Sequence, residues 1–127
     1  MEREALSNWS ALMDYCKTAM SHRETKEFRI LFLDRKNVLI ADEPQASGTV
    51  DHVPVYPREA AKRALELNPS VIILANNYPS GAPTPSVADI DMTEQIERAL
   101  SALNLTLIDH VVIRKGDTIS FRAIGYI

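Results

Sequence analysis

The chain has 127 residues, 46% of them apolar and 24% charged, which suits one compact domain with a single core and excludes a disordered or low-complexity protein. Fourteen basic against seventeen acidic side chains give a formal charge of -3, so the basic face that unspecific phosphate binding requires is missing and nucleic acid is a poor default partner. The charged N-terminal segment lacks the apolar core of a signal peptide and no later run has the length of a membrane span, so a cytoplasmic location without membrane contact is expected; the single cysteine, Cys16, excludes an internal disulfide and a multi-cysteine zinc site.

Apolar residues recur at helical spacing over residues 7–20, with Ser7 or Ser10 as the cap. Cys16 falls in register with Trp9, Leu12, Met13 and Met20, which reads as a buried helical thiol rather than a nucleophile. Residues 28–34 and 37–42 are short β-rich runs separated by Arg35 and Lys36 and predict a hairpin, with a second turn after it. Residues 49–57 read as an extended arm, and Pro57 suits the first turn of a helix that Asn68-Pro69 ends. Residues 71–75 form a continuous apolar, mostly β-branched run, the mark of a strand buried on both faces. Ser86 is a natural N-cap for a helix over residues 87–103, with Asp89 and Asp91 in its first turns, where the helix dipole favours anions. Residues 105–113 and 118–124 flank a Gly-containing turn and predict a closing hairpin. The order of elements predicts an α/β domain with a mixed β-sheet flanked by helices, without internal repeat or dividing linker.

Between the buried run and the capped helix lies ANNYPSGAPTPSVADID, residues 75–91, with three of the chain's seven prolines. Asn76 and Tyr78 stand two apart where the strand ends, so continued extension points both side chains to one side. Asp89 returns on the next helix, and a loop stiffened by Pro79, Pro83 and Pro85, with Gly81 free to take a positive φ, fixes the separation of the two ends. Strand ends facing helix starts are common places for sites in α/β sheets. The same residues also make an ordinary turn before an ordinary capped helix, and from residue chemistry alone both readings stand.

The segments EFRILFLDRKNVLIADE, GTVDHVPVYPREAAKRALEL, VIILANNYPSGAPTPSVADIDMT and LIDHVVI together resemble the RadC family, a bacterial branch of the JAB/MPN (JAMM) metalloprotease-like fold, over nearly the whole chain. The resemblance implies a cytidine-deaminase-like JAB/MPN architecture. It also implies a helix-hairpin-helix segment ahead of the domain in typical members, and the residues at hand are expected to form the JAB/MPN domain alone. In that family the loop reads His-Asn-His-Pro-Ser-Gly followed by Ser-x-x-Asp. The two histidines and the aspartate hold zinc, a glutamate on the first strand acts through the zinc-bound water, and the serine supports the tetrahedral intermediate. Carried over by motif, the histidine positions fall on Asn76 and Tyr78, the aspartate on Asp89 and the serine on Ser86. Glu27 best fits the glutamate, with Glu24 as the fallback.

A catalytic zinc site needs three protein ligands and an open water position. Asn76 offers only an amide oxygen and Tyr78 a phenol that must ionise to bind, so no metal cofactor is expected here although zinc serves the parent family. The expectation is a RadC-like domain with a degenerate zinc site, acting as a non-catalytic binding or scaffold module for a protein or peptide and displaying Tyr78 and the proline edge as a contact surface. Two other readings compete. One is a zinc-dependent metallopeptidase or isopeptidase of which this chain is a decayed or inactivated form, with His52 joining Asp89 and Tyr78 in one version. The other is a DNA-repair-associated factor, which the acidic balance disfavours. His52 and His110 each follow an aspartate in pairs that the resemblance includes outside the metal motif, so both are expected to pack or face solvent, and His22 lies in the polar link before the first strand.

Overall fold

The computed structural model describes residues 5–6, 8–20, 23–45, 55–81 and 84–127. Along them run helix α1 (Trp9–Met20), strands β1 (Phe28–Leu33) and β2 (Leu39–Pro44), helix α2 (Pro57–Leu67), strand β3 (Val71–Tyr78), helix α3 (Val87–Ser101), strands β4 (Leu107–Arg114) and β5 (Asp117–Ser120), and the short helix α4 (Phe121–Ile124). The strands form one sheet in the order β2-β1-β3-β4-β5. β3 and β4 pair in parallel across the α3 connection, and the other neighbours pair antiparallel, so the sheet is mixed as the sequence predicts.

Helices cover both faces. On one, Leu12, Met13, Cys16 and Met20 of α1 pack against Leu31, Leu33, Ile73, Val111 and Ile113. On the other, Ala60 and Ala64 of α2 and Ile96 and Leu100 of α3 pack against Phe28, Ile30, Ile72 and Leu74. Alternate residues of β3 therefore feed opposite cores, which is why residues 71–75 carry no polar position. Cys16 is buried as expected, and burial, followed by the charge of Asp42, pushes its thiol up to about 12, which leaves it without nucleophilic character.

Local signals hold where the chemistry is local. Pro57 opens α2, Asn68 closes it in the left-handed conformation, and Ser86 caps α3. Three boundaries differ from the sequence reading. The cap of α1 is Asn8, whose side chain accepts from Ala11 N at 2.8 Å, and Ser10 lies inside the helix. The strand predicted to run to residue 124 stops at Ser120, because its hydroxyl accepts from Ala123 N and caps α4 instead. β3 continues three residues beyond Ala75 because Asn76, Asn77 and Tyr78 stay paired with Val112, Ile113 and Arg114 of β4, while on the β1 side the Asn77 side chain accepts from Glu27 N at 2.6 Å and donates to Thr25 O at 3.1 Å. Most of the predicted extended arm, with His52, lies outside the described residues, as do His22, Ser7 and Pro83.

Candidate functional site

The extension of β3 builds the site. Asn76 and Tyr78 share the parity of Ile72 and Leu74 and so face the α2/α3 side. Phe28 pairs with Asn76 across the antiparallel β1/β3 ladder, so two further residues of the same register put Lys26 opposite Tyr78. Asn77 N donates to Glu27 O at 3.3 Å and holds that register beyond the end of β1. From the other side α3 delivers Asp89, whose backbone N donates to the capping Ser86 Oγ at 3.1 Å.

These placements converge. Lys26 Nζ donates to Asp89 Oδ1 at 3.0 Å and to Oδ2 at 2.8 Å, and it lies 5.0 Å from the centroid of the Tyr78 ring. The Tyr78 hydroxyl donates to Asp89 Oδ2 at 2.6 Å and accepts from Ser86 N at 3.0 Å. Lys26 and Tyr78 are each 5% exposed and Asp89 is 6% exposed. Burial alone would raise the Asp89 carboxyl, but the hydrogen bonds from Lys26 and Tyr78 and the charge of Lys26 hold it below its ordinary value. Burial, followed by the hydrogen bond to that carboxylate, drives the Tyr78 phenol above its ordinary value and keeps it protonated.

Asn76, fully buried, belongs to an adjoining network. Its Oδ1 is 2.5 Å from His110 Nε2, and His110 Nδ1 is 2.6 Å from Thr93 Oγ1, which in turn lies 2.7 Å from the Asp89 carbonyl oxygen. The imidazole packs edge-on to Phe28 and tilted against Phe121. Burial pushes it down to about 3, so it is neutral and carries one ring proton. With that proton on Nε2 it donates to Asn76 Oδ1, and the single Thr93 hydroxyl proton is shared between the Asp89 carbonyl oxygen and Nδ1.

Two expectations from the sequence are corrected. Glu27 does not join Asp89. It lies on the α1 side, its carboxylate accepting from Arg29 Nε at 2.5 Å and pairing with Arg23 Nε at 3.6 Å, while Glu24 is exposed. Strand parity is the cause, since the residue two before the buried Phe28 is Lys26, and that parity is the signal the motif-based choice of Glu27 passed over. Nor is Tyr78 a displayed contact, because its ring is buried and its hydroxyl is bonded on both sides. Ser86 does sit beside the cluster, as cap and as backbone donor to Tyr78. Among the described residues, no group of three His, Cys, Asp or Glu side chains could hold a metal ion.

Tyr78→Phe removes one hydroxyl that satisfies both the Asp89 carboxylate and Ser86 N. It is expected to lower stability by about 1–3 kcal/mol, read from urea unfolding, while Tyr78→Ala adds a cavity and is expected to cost about 3–5 kcal/mol. A displayed tyrosine would give neither loss.

A family model described as "RadC-like JAB domain" matches residues 6–126. The chain belongs to the RadC-like JAB domain family. A UPF0758 protein of Ruegeria pomeroyi is 65% identical over 127 residues, covering 100% of this chain and 57% of the relative. A UPF0758 protein of Rhodobacter capsulatus is 66% identical over 125 residues, covering 98% of this chain and 58% of the relative. The RadC-like chain thus spans a little over half the length of these curated relatives. Its five-stranded mixed sheet between helices agrees with the JAB/MPN fold that the sequence motifs imply. Among the described residues, no helix is long and apolar enough to cross a membrane.

Proposed function

We propose that this RadC-like JAB domain is a non-catalytic module, binding or scaffolding a protein or peptide in the cytoplasm, and that its metal position has been given over to an internal ion pair. The observation that carries this reading is the contact of Lys26 Nζ with both oxygens of Asp89. The residues present do not fit a catalytic zinc ion. Such an ion takes neutral imidazole, carboxylate or thiolate donors and leaves one position for water. Of the three motif positions, Asn76 presents an amide oxygen already bonded to His110, and Tyr78 presents a phenol held in its protonated form. Asp89 is the single anionic donor, and its carboxylate already accepts from an ammonium and a hydroxyl. Glu27, the candidate general base, stands on the opposite side of the sheet. Hydrolase chemistry therefore lacks both its donor set and its base among the described residues. A DNA-repair role gains no support from a formal charge of -3.

The test is the zinc content of the purified protein by elemental mass spectrometry after incubation with zinc and dialysis. A protein essentially free of zinc supports the reading. About one tightly held zinc per chain, the stoichiometry of a three-ligand site, overturns it.

A further inference from the structure

The cluster has a feature that the loss of two imidazoles does not explain. Side chains at 26, 76 and 78 share one face by strand register, Asp89 approaches that face from α3, and one of the two groups that donate to the Asp89 carboxylate, beside the Tyr78 hydroxyl, is a cation supplied by the chain. We infer that the Lys26 ammonium is a built-in substitute for a site cation, and that it, together with the missing imidazoles, closes a latent zinc-class site formed by positions 76, 78 and 89. This deepens the reading above and rests on it for the metal-free state of the natural sequence.

The charge arithmetic favours one cation at a time. Asp89 and Lys26 cancel, so the buried cluster is neutral as it stands. A divalent ion added beside the ammonium would bring two like charges together in a poorly solvated place, where repulsion is only weakly screened. Putting histidine at 76 and 78 supplies neutral donors and leaves that repulsion in full. Position 26 is therefore as decisive as the two donor positions, and it is also where an acidic side chain would have to stand to face the cluster, since the side chain at 27 points to the other core.

The test compares Asn76→His/Tyr78→His with the triple variant that adds Lys26→Gln, a change that removes the charge and introduces no new carboxylate. Zinc per chain is measured after dialysis, zinc affinity by competition with a chelating dye, and folding by circular dichroism. The double variant is expected to retain little zinc. The triple variant is expected to hold about one per chain and to bind at least about 100-fold tighter. Asn76 is fully buried against His110, so a histidine there risks unfolding the triple variant. Lys26→His/Tyr78→His leaves Asn76 untouched and offers a cross-strand imidazole pair with Asp89, and it is expected to bind zinc with a rise in thermal midpoint. Equal zinc affinity of the double and triple variants overturns the inference, because the ammonium would then be no barrier. Failure of every folded variant lacking Lys26 to bind zinc also overturns it, because removal of the ammonium would then not open the site. Zinc held by the unaltered protein sinks the proposed function instead, so the two failures are told apart.

Discussion

Lys26→Met is expected to lower the stability of the domain by about 3–5 kcal/mol, the usual cost of leaving one member of a buried ion pair without its partner. The side chains of Lys26 and Asp89 are 6% and 9% exposed, so water does little to solvate the carboxylate left behind, and the Tyr78 hydroxyl is its main remaining donor. Asp89→Leu should be similarly costly, because it strands the ammonium between Tyr78 and the sheet. The combined Lys26→Met/Asp89→Leu variant is expected to lose much less than the sum of the two, since no buried charge remains and the residual cost is the Tyr78 hydroxyl without its acceptor, about 1–3 kcal/mol. Urea unfolding of the four proteins measures the coupling directly. Strict additivity of the two single changes would mean that the pair does not act as a unit.

The second large effect is the response to acid. His110 is neutral in the fold and its value lies near 3, against an ordinary 6.5, so the unfolded chain takes up a proton that the folded chain refuses. Stability is therefore full above about pH 6.5 and falls by up to about 1.4 kcal/mol per pH unit down to about pH 3, on the order of 5 kcal/mol in all. Asp89 acts at the lower end of that range. Its depressed carboxyl contributes stability above its ordinary unfolded value, and that contribution is lost as the pH drops further. Tyr78 works in the other direction. Its raised phenol contributes stability below about pH 10, lost as the pH rises beyond it. His110→Gln keeps an amide that can donate to Asn76 and removes the titrating ring, so its stability profile between pH 6.5 and 4 should flatten relative to the unaltered protein. Parallel profiles for the two proteins would show that His110 does not titrate in unfolding.

What the sequence reveals of this arrangement divides by range of interaction. Ser86, Pro57 and Asn68 act on backbone within a few residues, and the uninterrupted run from residue 71 reports two covered faces directly, so the α/β frame and the capped helix carrying Asp89 are legible. The family motifs locate residues 76, 78, 86 and 89, and the structure brings 78, 86 and 89 into contact, with Asn76 on the same face joined through His110 and Thr93. Lys26 escapes because its place depends on the register between β1 and β3, which pairs Phe28 with the sequence-distant Asn76. A motif search for a glutamate stops at Glu27, whereas counting back by two from Phe28 stops at Lys26. Tyr78 misleads for a related reason. Next to three prolines it resembles a surface aromatic, and only the Asp89 carboxylate, eleven residues away, shows why its hydroxyl is buried. His110 reaches Asn76 over a separation of 34 residues, which no local pattern encodes.

Nitrogen-15 NMR of the lysine ammonium groups during a zinc titration shows whether the chain supplies its own cation where a metal would otherwise bind. One slowly exchanging ammonium is expected, assigned to Lys26 by its loss in Lys26→Met, correlated with the Asp89 carboxyl carbon and unchanged by zinc. Disappearance of that signal with the uptake of one zinc per chain would contradict it.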